Sequence, residues 1–151
     1  MAPWRRARIC GRSEMTSIRE RFGADHAALQ RSLDALGNAS EGADASELVR
    51  VWREFEAGLR AHLEVEEAEL FPLLPDRAER TALERDHERF REQLDELGLQ
   101  VEVHAIRKES VDTLCEALRA HAAREDAVLY RVADERGLTD GPSLLDRPLV
   151  R

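Results

Sequence analysis

Cysteine is scarce in this chain: Cys10 and Cys115 are its only two in 151 residues. That is too few for a disulfide framework, and their spacing is not that of a zinc site. A reducing compartment, the cytoplasm, is therefore expected. Long apolar runs are missing as well. None reaches the length of a signal-peptide core or a membrane span, and the twin arginines Arg5 and Arg6 lead into no hydrophobic stretch. Positive charge is in deficit, with 23 Lys and Arg against 31 Asp and Glu and a formal net charge of −8. Nucleic acid and anionic membranes need a basic face that displaces counterions or meets lipid phosphates, and no such face stands out, so both are excluded as main partners.

What the chain has is periodicity, over a length suited to one domain. Apolar residues recur at alternating steps of three and four in four stripes. Ile18, Phe22, Leu29, Leu33 and Leu36 form the first, and Leu48, Trp52, Phe55, Leu59 and Leu70 the second. Leu83, Phe90, Leu94 and Leu97 form the third, and Val111, Leu114, Leu118, Leu129 and Val132 the fourth. This pattern predicts an all-α, antiparallel up-and-down four-helix bundle. Ser17 with Glu20 is spaced as a capping box, Asp44 with Glu47 and Asp76 with Glu79 are spaced as further caps, and Gly37 with the NASEGAD stretch after it is expected to end the first helix. The third helix has two possible ends, at Gly98 or beyond the VEVHAI segment near Ser110. The bundle is assigned to residues 15–136. Residues 1–14 are basic and aperiodic, either a flexible arm or an over-called start ahead of Met15, and residues 137–151 are expected to be a loosely attached tail.

Each stripe is interrupted at a core position by a histidine. His26 falls between Phe22 and Leu29, His62 between Leu59 and Leu70, His87 between Leu83 and Phe90, and His121 between Leu118 and Leu129. Glu66 and Glu125 take the next inward position after two of them, about 40° around the helix and about 6 Å along it. Burying such groups without partners costs several kcal/mol each, so something must satisfy them. An isolated buried histidine is more often a hydrogen-bonded core residue than a ligand; six such residues at matching positions point to a site. His104 does not belong to it, because seventeen residues of helix would carry it about 25 Å from His87.

The interruptions repeat. LRAHLEVEEAELF (Leu59 to Phe71) matches LRAHAAREDAVLY (Leu118 to Tyr130), and ADHAALQRSLDAL (Ala24 to Leu36) matches RDHERFREQLDEL (Arg85 to Leu97). A duplicated helical hairpin with an approximate twofold axis through the site follows. Two histidines and one glutamate from each half suit two metal ions, with His26 and His62 on one, His87 and His121 on the other, and Glu66 and Glu125 bridging. Glu67 and Asp126 fall one step off the inner face. Asp25 and Asp86 are either partners that orient the imidazoles or solvent-exposed. Cys115 is read as a core-edge residue and Tyr130, the counterpart of Phe71, as a packing aromatic.

These residues resemble the hemerythrin-like, or HHE cation-binding, family. The matching elements are Asp25 and His26 on the first helix, His62 with Glu66 and Glu67 on the second, His87 on the third, and His121 with Glu125 on the fourth. The resemblance spans about Ser17 to Glu135. It implies a four-helix bundle holding a carboxylate-bridged non-haem di-iron centre that binds or reacts with dioxygen or related small ligands. The spacing differs from the Glu-x-x-His of ferritin-like bundles. Oxygen-carrying members place a second histidine four residues after the first on the third helix, where this chain has Arg91. Iron suits mixed imidazole and carboxylate ligation, with manganese and zinc left open. Three functions follow as expectations: binding or sensing of dioxygen, nitric oxide or iron; an oxidoreductase-like decomposition of peroxide; or a metal-free helical interaction module.

Overall fold

The computed structural model describes residues 17–42 and 44–138. The expectations for the N-terminal arm and, past Leu138, for the tail lie outside the described residues. Four long helices dominate: α1 (Ile18–Gly42), α2 (Ala45–Val65), α3 (Arg77–Glu102) and α4 (Lys108–Glu125). No strand occurs among the described residues, and none of their helices is long and apolar enough to cross a membrane.

The helix starts form where the side chains can satisfy free backbone N–H groups. Ser17 Oγ accepts from the Glu20 amide and the Glu20 carboxylate accepts from the Ser17 amide, each at 3.1 Å, which is the reciprocal capping box. Asp44 accepts from the Glu47 amide at 2.8 Å, and Asp76 accepts from the amides of Ala78 and Glu79 at 2.7 and 3.3 Å. The first helix passes through Gly37, which keeps a right-handed backbone, and stops at Gly42 within the NASEGAD stretch expected to end it. The third helix likewise passes through Gly98, over which the Trp52 ring is packed, and stops short of Ser110. It ends where His104 turns into the left-handed region at φ 52°, with the Ala105 amide donating back to the Gln100 carbonyl at 2.8 Å.

Both α2 and α4 pass into a π-helical turn, Glu66–Leu70 and Asp126–Tyr130, at nearly the same point of the repeat. The added residue lets two successive side chains face inward, Leu70 with Phe71 and Leu129 with Tyr130. A 3₁₀ turn, Phe71–Leu73, then leads toward α3, and the α4 segment closes with a last helical turn, Arg131–Glu135.

The core divides in two. One apolar cluster gathers Leu33, Leu36, Trp52, Phe55, Leu94 and Leu114; the other gathers Ile18, Phe22, Leu70, Phe71, Leu83 and Leu129. Among the described residues the six buried polar ones, Asp25, His62, Glu66, His87, His121 and Glu125, come from the seam between them. Hydrophobic layers lie above and below this polar layer, and they supply most of the stabilisation of the bundle.

A helical Gly37 leads to a test. A Cβ at Gly37 would sit 3.8 Å from Val111 Cγ1, an ordinary contact. Gly37→Ala is therefore expected to stabilise the protein by roughly 0.5–1 kcal/mol in urea unfolding. A loss of stability would show that the helix ends there in a left-handed turn.

Candidate metal centre

Each half of the repeat delivers two imidazoles and one carboxylate to the polar layer. His62, Glu66, His87, His121 and Glu125 are between 0 and 4% exposed, and the His26 side chain is 18% exposed. The Nε2 atoms of His26 and His62 lie 2.9 Å apart, and those of His87 and His121 lie 3.0 Å apart. Between the two pairs stand the carboxylates, and each divides its oxygens between them. Glu66 presents Oε1 to His62 Nε2 at 3.1 Å and Oε2 to His87 Nε2 at 3.5 Å. Glu125 presents Oε2 to His26 Nε2 at 3.2 Å and Oε1 to His121 Nε2 at 2.6 Å. Two overlapping groups result: His26, His62, Glu66 and Glu125, and Glu66, His87, His121 and Glu125, with donor atoms in each within 4.8 Å of one another.

The donor set fits a pair of cations on physical grounds. Two imidazole nitrogens at hydrogen-bond distance can share one proton between them, so both pairs turn lone pairs toward a common point. Glu66 Oε2 is buried and makes no hydrogen bond. Without a metal the cluster must balance its carboxylates with protons. Burial favours the neutral ring of His87, but the hydrogen bond to Glu125 and the nearby charge of Glu66 outweigh it and push this group up to about 9. His62 is raised too, burial again opposing and the Glu66 charge prevailing. Burial alone would raise Glu125, yet hydrogen bonds from His121, His26 and His87 hold it well below the ordinary carboxylate range.

Outside this cluster the second pair of histidines is held by carboxylates that are in turn held by arginines. His87 Nδ1 lies 2.9 Å from Glu67 Oε1, and Arg91 donates to Glu67 Oε2 at 2.9 Å. His121 Nδ1 lies 3.1 Å from Asp86, which Arg124 holds at 2.6 Å. Such partners fix the ring so that Nδ1 carries the proton and Nε2 faces the cluster. The Glu67 carboxylate lies off the inner face as the repeat predicted, and it is turned to the outer nitrogen of His87. Its repeat counterpart Asp126 is half-exposed and pairs with Arg19 at 2.8 Å, away from the cluster. Asp25 occupies the place equivalent to Asp86 but stays 4.0 Å from His62 Nδ1, and neither atom makes a hydrogen bond.

Tyr130 corrects the sequence reading. Expected as a packing aromatic, it is fully buried with its hydroxyl among the site residues. The phenol donates to Glu66 in a short hydrogen bond, and it lies 3.1 Å from both Glu125 Oε2 and His26 Nε2. Burial and the two carboxylates push its pKa well above the ordinary phenol value, so it stays protonated. A signal was available: a buried tyrosine needs a partner for its hydroxyl, and this one replaces Phe71 of the first repeat, which packs on His87 with ring centroids 4.8 Å apart. His104, as expected, is exposed at the far end of α3.

Residues 17–133 match the family model of the hemerythrin HHE cation binding domain. Comparison with curated proteins and with solved structures gives no match.

The phenol leads to a second test. Tyr130→Phe keeps the ring and removes the only hydroxyl among the described residues that reaches both buried carboxylates. Stripped of metal, the variant is expected to lose about 1–3 kcal/mol in urea unfolding, the cost of leaving a buried acceptor unmet. An unchanged midpoint would show that the phenol does not hold the carboxylates.

Proposed function

Since this chain belongs to the hemerythrin HHE cation-binding domain family, we propose that its polar layer holds two non-haem iron ions and binds or senses a small ligand such as dioxygen or nitric oxide. His26 and His62 would hold one ion, His87 and His121 the other, and Glu66 and Glu125 would bridge them. The observation that carries this reading is the division of both carboxylates between the two imidazole pairs. Iron is favoured over zinc because the donors are imidazole and carboxylate without a thiolate. Cys115 lies elsewhere, its sulfur hydrogen-bonded to Gln30 at 2.9 Å. Manganese shares these preferences and is separated from iron by metal analysis.

Bound there, an iron pair supplies redox electrons and open coordination positions to the incoming molecule. The chain's own residues do the rest. Two imidazoles and two carboxylate oxygens give each ion about four donors, fewer than the six of an octahedral site. Arg91, engaged with Glu67, adds none. The apolar clusters above and below cover the two ends of the polar layer. Tyr130 keeps a proton beside the carboxylates and His26, which supports a second reading, the decomposition of peroxide, in which that proton could be passed to a departing oxygen.

Elemental analysis is the direct check: about two metal ions per chain are expected after expression with ample iron. His62→Ala and His121→Ala are expected to lower this sharply, and His104→Ala to leave it unchanged. Protein that carries no metal under those conditions would end the reading.

Unsaturated ions also predict a behaviour. Reduced, iron-loaded protein exposed to air is expected to oxidise to a ferric form whose visible spectrum changes on adding azide. Quantitative return to the colourless form through repeated degassing would instead identify a reversible oxygen carrier.

A further inference from the structure

We propose that the cavity beside the first imidazole pair binds a small organic anion, with its carboxylate at Arg119 and its apolar body directed inward toward His26 and His62. This deepens the ligand reading above and rests on it. The cavity measures about 260 Å³. One water needs only about 10–15 Å³ of such space, so the cavity holds several, and a diatomic gas would leave most of it unfilled. Leu29, Leu63, Leu118 and Ala122 give it aliphatic walls. Water gains little against such walls, and an apolar group that displaces it is favoured. The buried rings of His62 and His121 mark the inner end, and Gln30 and the exposed Arg119 mark the rim.

The cavity is a difference between the two halves of the repeat and does not follow from the duplicated framework. On α3 the residue equivalent to Leu29 is Phe90, whose ring lies edge-on against His121 with centroids 5.0 Å apart. Arg91 stands in place of Gln30 and is tied to Glu67. On α4, Ala122 stands where α2 has Leu63. On the α1 side the cavity thus has Leu29 and Gln30 where α3 carries the bulkier Phe90 and Arg91, and on the α4 side it has the small Ala122.

Charge at the rim differs in the same sense. Arg60, the repeat counterpart of Arg119, is neutralised by Glu56 at 3.0 Å and Asp95 at 2.7 Å. Arg119 has no carboxylate partner among the described residues. Its Nε donates to Gln30 Oε1 at 3.1 Å, and Gln30 is braced by Asp34 and Cys115, each at 2.9 Å. That brace fixes one edge of the guanidinium and leaves its terminal N–H groups for an anion, which a carboxylate can accept in two parallel hydrogen bonds. An aliphatic cavity with, at its rim, a guanidinium that no described carboxylate pairs calls for an anionic head on an apolar body.

Octanoate and 1-octanol are suitable probes, titrated calorimetrically into the full-length, iron-loaded protein. Octanoate is expected to bind one per chain, about tenfold more tightly than octanol. Arg119→Gln, a surface change that leaves the core intact, is expected to remove this preference while octanol binding persists. Ala122→Leu, which introduces the side chain of the other half, is expected to weaken both probes about tenfold or more. Metal content is measured on the same samples. Metal-loaded protein that does not bind octanoate, or binds it equally well in both variants, would overturn the proposal while leaving the metal reading standing. Octanoate binding that survives Arg119→Gln but vanishes on metal removal would place the carboxylate on the metal and overturn it as well. Protein without metal would instead be a failure of the metal reading.

Discussion

Two glutamates and three histidines, all but withdrawn from water, face one another in the middle of this bundle, and the rest of the structure is arranged around the cost of putting them there. Each such group left unpaired would cost several kcal/mol, against a total stability of roughly 5–15 kcal/mol for a whole domain. Two apolar clusters, one on each side of the polar layer, supply the burial energy that offsets this. The π-helical turns that follow Glu66 and Glu125 bring an aromatic back to the layer in each half. In the first half Phe71 packs against His87, and in the second Tyr130 donates to the carboxylates. Without a cation, protons on the imidazoles and the phenol must balance the charge. With one, the same atoms become ligands.

The twofold repeat accounts for the cluster and fails around it. His87 and His121 are each fixed from behind by a carboxylate held by an arginine, through Glu67 with Arg91 and Asp86 with Arg124. His62 has only Asp25 at 4.0 Å, and the position that would serve His26 is taken by Asp126, which has turned to Arg19. One imidazole pair is braced by carboxylates. In the other His26 is partly exposed, and the cavity borders both of its rings as well as His121.

Much of this was legible in the sequence because burial forces a period. Leucine and phenylalanine at steps of three and four gave the four helices, and histidines in the gaps marked the layer before any contact was known. Capping residues gave the starts of α1, α2 and α3, since an aspartate or serine has to be adjacent in sequence to the amides it satisfies; α4 opens at Arg107 without a side-chain cap. The ends were less legible. Gly37 opened the stretch read as the end of the first helix and Gly98 was one of two possible ends of the third, yet both lie inside helices because packing, and at Gly98 the Trp52 ring, outweighs the modest helix penalty of glycine. The π-helical turns left no local signature. The role of Tyr130 was hidden for a related reason: an aromatic at a core position packs whether or not its hydroxyl has work to do, and only the fold shows that Glu66, sixty-four residues away, is its acceptor.

The central claim is that Glu66 and Glu125 lie between two metal ions. Anomalous diffraction from crystals of iron-loaded protein, collected on either side of the iron edge, tests it most directly. Two peaks per chain are predicted, one against His26 and His62 and one against His87 and His121, with both carboxylates contacting each. A single peak, or peaks only at surface carboxylates such as Asp126, would contradict it.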